Sequence, residues 1–117
     1  MLSLREVIER LNVEPLTSKQ SLDRQVNGGY ASDLVSWVMK AAKRDMIWVT
    51  LQSHLNVVPV ASLLGLAGVI ITEGVRPDQE TLSKAENEGV VLMTTRKTTF
   101  TVVGELTSMG VQGEVPG

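Results

Sequence analysis

Three sets of side chains in this sequence could carry chemistry. Ser53, His54 and Glu73 supply a hydroxyl, an imidazole and a carboxylate, the parts of a nucleophilic triad. Glu73 and Asp78 are two hard oxygen donors that could hold magnesium. Arg76, Arg96 and Lys97 could hold an anion. The triad is the weakest of these. Ser53 and His54 are neighbours, so on an extended chain their side chains diverge, and the Gly-x-Ser-x-Gly elbow is absent. The magnesium pair competes with a simpler reading, in which Glu73 is solvated and Asp78 caps a helix. With one His and no Cys, a zinc site would need an unusual set of oxygen ligands. No glycine is followed by lysine, so there is no Walker A loop, and no two glycines stand two apart, so there is no dinucleotide fingerprint. P-loop kinase and ordinary nicotinamide dehydrogenase chemistry are excluded on that ground.

The elements that would position these groups can be read from hydrophobic periodicity. Ser3-Leu4-Arg5-Glu6 is a capping box, and Leu4, Val7, Ile8 and Leu11 make a helical stripe ending near Asn12. Val13 to Leu16 reads as a short strand, confined to an edge by Pro15. Val26 to Ala31 reads as a second strand, with Gly28 and Gly29 allowing close backbone approach. Ser32 or Asp33 caps the next helix, with Leu34, Trp37, Val38 and Ala41 inward. Met46 to Leu51 is apolar but for Thr50 and reads as a strand buried on both faces. A helix follows from about Asn56 to Leu64, with Pro59 in its first turn and Gly65 ending it.

Two more strand–helix units succeed it. Gly68 to Thr72 is a strand, and a helix opened by Pro77 or Asp78 closes at Gly89 with Leu82 and Ala85 inward. Val90 to Thr94 is the last strand. Thr98 or Thr99 caps a final helix through Phe100, Val103 and Leu106 to about Gly110. Consecutive strand–helix units predict right-handed crossovers. The expected fold is α/β, a three-layer arrangement of a mostly parallel sheet of about five strands with helices on both faces. Residues 1–110 form one domain and 111–117 a flexible tail. Trp37 and Trp48 are expected in the core and Met39, Met46 and Met93 as gap fillers, while Tyr30 belongs either to the core or to a subunit contact.

In such a sheet the strand C-terminal ends share one edge. That edge would gather Gln52, Ser53, His54 and Asn56, then Thr72, Glu73, Gly74 and Arg76, then Thr94, Thr95, Arg96 and Lys97. Three helix N-termini point there too, offering free N–H groups to an anion. A phosphorylated or nucleotide-like ligand suits this edge. The competing reading is that any such sheet has polar loops there, with threonines as caps and His54 as a loop or capping residue.

Composition narrows the classes further. The chain of 117 residues is 43% hydrophobic, enough for one core. Its net charge of −2 gives no basic face for nucleic acid, and aromatics are too few to build stacking platforms. Without cysteine there is no disulfide or thiolate site. No apolar run approaches the roughly 20 residues of a membrane span, and the N-terminus is not a signal peptide. A soluble cytoplasmic protein is expected, free of nucleic acid and membrane.

Leu22-Asp23-Arg24-x-Val26-x-Gly28-Gly29, Ser32-Asp33-Leu34-x-x-Trp37-Val38-Met39, Trp48-Val49-Thr50-x-Gln52-x-His54-x-Asn56 and Ile71-Thr72-Glu73-Gly74 occur in that order. Together they resemble the DRTGG domain family in its small stand-alone form, from Leu4 to about Gly110, although the five letters are not contiguous. Related domains accompany nucleotide-binding CBS domains in some pyrophosphatases, occur in some phosphotransacetylases, and are similar to the N-terminal domain of HPr kinase/phosphorylase. The resemblance implies an α/β fold, a regulatory rather than catalytic role, and a homodimer. It carries over no catalytic residues and no cofactor, and without a P-loop it does not bring kinase activity. The expected partners are a second copy, an adenine nucleotide or phosphorylated metabolite, and possible protein partners. Asp23 and Arg24 read as an ion pair fixing the loop before Gly28 and Gly29, or as part of a dimer or ligand contact.

Overall fold

Ser3 and Glu6 start the first helix as a reciprocal cap. The Ser3 hydroxyl accepts from the Glu6 N–H, and the Glu6 carboxylate accepts from the Ser3 N–H at 3.2 Å. The computed structural model describes residues 2–114. Helix α1 (Leu4–Leu11) ends at Asn12, which takes the left-handed conformation that Asn tolerates. Strand β1 (Glu14–Pro15) and β2 (Gly29–Ala31) follow, then α2 (Val35–Ala41), β3 (Ile47–Thr50), α3 (Val57–Leu64), β4 (Gly68–Ile71), α4 (Gln79–Glu88), β5 (Leu92–Thr94) and α5 (Thr99–Ser108).

The five strands form one sheet in the order β1-β5-β4-β3-β2. Strands β2 to β5 are parallel, with Ala31 opposite Val49, Thr50 opposite Ile71 and Ile71 opposite Thr94. Only β1 is antiparallel, pairing Glu14 with Thr94 and Pro15 with Met93 at one edge. That is where proline's missing N–H does least harm. The three-layer α/β arrangement expected from the sequence is therefore the one observed.

Alternation along the central strands divides two cores. Trp48, Val69, Ile71 and Leu92 pack with Val38, Val57, Val58, Ala61 and Ala85 of α2, α3 and α4. Ile47, Val49, Ile70 and Met93 face Leu4, Val7, Leu11, Val102 and Leu106 of α1 and α5. This two-sided burial is why the central strands read as nearly continuous apolar runs. Gly68 leaves room for Met93, whose Cε would lie 2.7 Å from an added Cβ.

Several local expectations need correcting. Ser32 and Asp33 do not cap α2. Leu34 occupies the cap position with no side-chain bond, while Asp33 turns to β3. The α2 stripe is not buried, because only Val38 goes inside while Trp37 stays 50% exposed beside Leu34 and Met39. In α5 the inward residues are Val102 and Leu106, and Phe100 is 89% exposed. Trp48, Met46 and Met93 are buried as expected. In the stretch expected as a tail, Val111 is buried and the Gln112 carbonyl accepts from the Gly29 N–H at 3.0 Å. Residues 115–117 lie outside the described residues. Among the described residues, no helix is long and apolar enough to cross a membrane.

Candidate functional site

The C-terminal end of the sheet is built by two loops strapped together. After β4 the chain turns through Glu73 and Gly74, both at positive φ, 63° and 74°. The Val75 N–H closes this turn on the Thr72 carbonyl at 3.2 Å. Glycine adopts such a backbone freely, whereas Glu73 does so at some cost. The Glu73 and Gly74 N–H groups donate to the Lys97 and Thr95 carbonyls of the loop after β5, at 2.9 and 3.0 Å. The Glu73 carboxylate then accepts from the Thr99 N–H at 2.9 Å and so sits at the start of α5. Beneath it, buried Thr72 shares a 2.6 Å hydroxyl hydrogen bond with Thr99.

Beside these loops lies a cleft of ≈ 460 Å³. Of the residues expected at the edge it gathers Gly74, Arg76, Thr94, Thr95, Arg96 and Lys97. Asn12 and Glu14 complete it, and neither was expected at the edge from the sequence. Both Arg76 Nη atoms donate to the two oxygens of Glu14, at 3.2 and 3.1 Å. Those hydrogen bonds, aided by the guanidinium charge, hold the Glu14 carboxyl below its usual range and raise Arg76 above its own. Lys97 Nζ donates to the Leu11 carbonyl at 2.7 Å and to the Glu105 carboxylate at 3.0 Å. Thr94 Oγ1 donates to the Val75 carbonyl and Thr95 Oγ1 accepts from the Lys97 N–H. Arg96 is exposed and, among the described residues, makes no ion pair.

The remaining expected residues are not among those that line this cleft. Gln52 Nε2 donates to the Asp33 carbonyl at 2.9 Å, bracing the approach to α2. Asp33 is the centre of that brace. Its Oδ1 accepts from Thr50 Oγ1 and from the Leu51 N–H, both at 2.9 Å. Ser53 is half-buried, and His54 and Asn56 are exposed. The helix N-termini are only partly open. In α3 the Val57, Val58 and Val60 N–H groups donate to the His54, Leu55 and Asn56 carbonyls, and Pro59 has none. Asp78 takes the Thr81 N–H of α4, while Glu73 and Thr98 take the Thr99 and Thr101 N–H groups of α5. Glu73 and Asp78 thus serve separate helices rather than one cation. Among the described residues no group of three or more acidic, His or Cys side chains could hold a metal ion.

Asp23 and Arg24 do not pair with each other. Asp23 meets Arg5 at 3.2 Å. Arg24 Nε donates to Asp45 Oδ1 at 2.9 Å and its Nη2 donates to the Gly65 carbonyl. Asp45 itself takes positive φ and its N–H donates to the same Gly65 carbonyl. Arg24 therefore ties the approach to β3 to the exit of α3, at the opposite end of the strands from the cleft. Gly28, at φ 103°, and Gly29 lead into β2. A Cβ on Gly29 would come within 3.2 Å of Val111.

No curated protein matches this chain. Among solved structures it is similar to the CBS and DRTGG domains of the regulatory region of Clostridium perfringens pyrophosphatase, determined in complex with the activator diadenosine tetraphosphate. The TM-score is 0.74 at 15% identity, over 89% of this chain and 45% of that one. At that identity the likeness speaks for the fold, and this chain spans less than half of the other. The family profile of the DRTGG domain matches residues 6–109, nearly the whole sequence. The chain belongs to the DRTGG domain family.

Proposed function

We propose that this domain is a non-catalytic regulatory module that works as a cytoplasmic homodimer and takes an adenine nucleotide or phosphorylated metabolite at the β4–β5 end of the sheet. The observation that carries the reading is the cleft that brings Arg76, Arg96 and Lys97 together with the Thr94 and Thr95 hydroxyls. Guanidinium groups suit phosphate oxygens because of their planar donor fork. The choice of nucleotide leans on the pyrophosphatase regulatory region, a structure of similar fold solved with a dinucleoside polyphosphate. The non-catalytic reading leans on Glu73, which a triad would need and which is committed to the Thr99 N–H.

A melting-temperature titration with AMP, ADP and ATP tests it. A binder is stabilised progressively with free ligand. Wild type should gain with at least one nucleotide, and Arg96→Ala should lose most of that gain. A flat response to all three, or an equal gain in Arg96→Ala, refutes the site. Nucleotide turnover in the same tubes would refute the non-catalytic reading.

A second reading, a protein–protein adaptor without a small ligand, is favoured by one observation. Leu34, Trp37, Leu51, Leu55 and Phe100 are all exposed, and aromatic side chains such as Trp37 and Phe100 are enriched where proteins meet.

A further inference from the structure

The cleft contains a carboxylate where a ligand's anionic group would be expected. Glu14 presents two oxygens to the two Nη atoms of Arg76, at 3.2 and 3.1 Å. That is the geometry in which arginine takes a phosphate. The one lysine of the cleft, Lys97, is also occupied, by Glu105 and the Leu11 carbonyl. Of the three cations lining the cleft, only Arg96 makes no ion pair with the described residues. A phosphate in the cleft would find Arg96 without an ion-pair partner and would gain both Arg76 Nη atoms only by displacing Glu14.

We infer that Glu14 is a built-in competitor for the ligand's phosphate, an internal carboxylate that occupies Arg76 until a more highly charged anion replaces it. The inference rests on the phosphorylated-ligand reading of this cleft. Exposure makes the exchange feasible. The side chains of Arg76 and Glu14 are both more than half exposed, and a pair screened by water is held weakly. A buried pair would be far too costly to break. Glu14 also sits on β1, which meets β5 through only two residue pairs. Its side chain can swing away without undoing the parallel strands. Competition of this kind sets a threshold. An anion with one charge gains little over the carboxylate it replaces, whereas a di- or polyphosphate gains more.

The test compares ADP and adenosine binding by calorimetry in wild type, Glu14→Gln, Glu9→Gln and the double variant Glu14→Gln/Arg76→Ala. Glu9 is an exposed acid on α1, so it controls for the loss of one negative charge. Glu14→Ser serves as a second variant if Glu14→Gln misfolds. The inference predicts that Glu14→Gln tightens ADP binding several-fold, that Glu9→Gln does not, that adenosine is indifferent to either, and that removing Arg76 abolishes the gain. ADP binding that appears only in Glu14→Gln also supports it. Wild type that binds ADP with unchanged or weaker affinity in Glu14→Gln overturns this inference and leaves the cleft as a site. An equal gain in Glu9→Gln or with adenosine overturns it as well. If neither wild type nor Glu14→Gln binds ADP, both the site and its competitor fall.

Discussion

Single residues here are committed to several partners at once, and that decides what substitutions should do. Arg24 bonds two acceptors through different arms of one fork, the Asp45 carboxylate and the Gly65 carbonyl. Lysine keeps the charge but has no fork. Arg24→Lys should therefore lower stability by about 1–2 kcal/mol in denaturant unfolding, the low end for hydrogen bonds to charged groups because the site is partly solvated. A change within measurement error would show that the fork is incidental. The sequence flagged Arg24 but gave it the wrong partner, since Asp45 is 21 residues away and only the fold brings the two together. Asp33 shows the same limit. It looks like a helix cap, yet the Thr50 hydroxyl and Leu51 N–H reach it across β2 and β3.

At the scale of elements, caps were legible and apolar stripes only partly so. Ser3 with Glu6, Asp78 and Thr98 cap where local pattern placed them, because a cap is a bond between near neighbours. Asp78 carries a pH signature. The Thr81 N–H holds its carboxyl below the usual range. A folded-state value below the unfolded one means that the stabilisation is present above about pH 4, the ordinary carboxylate value, and is lost as pH falls through the folded value. Asp78→Asn keeps an acceptor but cannot titrate, so the fall in melting temperature below about pH 4 should be shallower than in wild type. An identical acid slope would contradict that. The α1 stripe of Leu4, Val7, Ile8 and Leu11 is buried as expected, whereas the α5 stripe failed in part because that helix offers two. Val102 and Leu106 go inward, whereas Phe100 lies outside. Leu106→Ala should cost about 2–5 kcal/mol, and Phe100→Ala should stay within about 0.5 kcal/mol. Equal costs would mean that Phe100 is covered in solution.

For the molecule as a whole, the α/β class and the parallel units followed from apolar runs separated by helix signals. The place of β1 beside β5 did not, since an antiparallel return across some 80 residues leaves no local trace. That pairing is what brings Glu14 into the cleft, and it is why neither Glu14 nor Asn12 was expected at the edge, where Arg76, Arg96 and Lys97 were. The division of the expected edge has the same origin. Gln52 is drawn to the Asp33 carbonyl beside α2, leaving the β4–β5 loops to form the cleft. The proposed homodimer is a whole-molecule property too, and light scattering at high concentration should give twice the chain mass. A monomer would refute it.

The central claim, that the β4–β5 cleft is the ligand site, is tested most directly by a crystal structure determined with ADP. The account predicts phosphate density within hydrogen-bonding distance of the Arg96 and Arg76 guanidinium groups, with Glu14 turned away from Arg76. Density beside His54 or between β2 and α5, or an empty cleft at concentrations that raise the melting temperature, would contradict it.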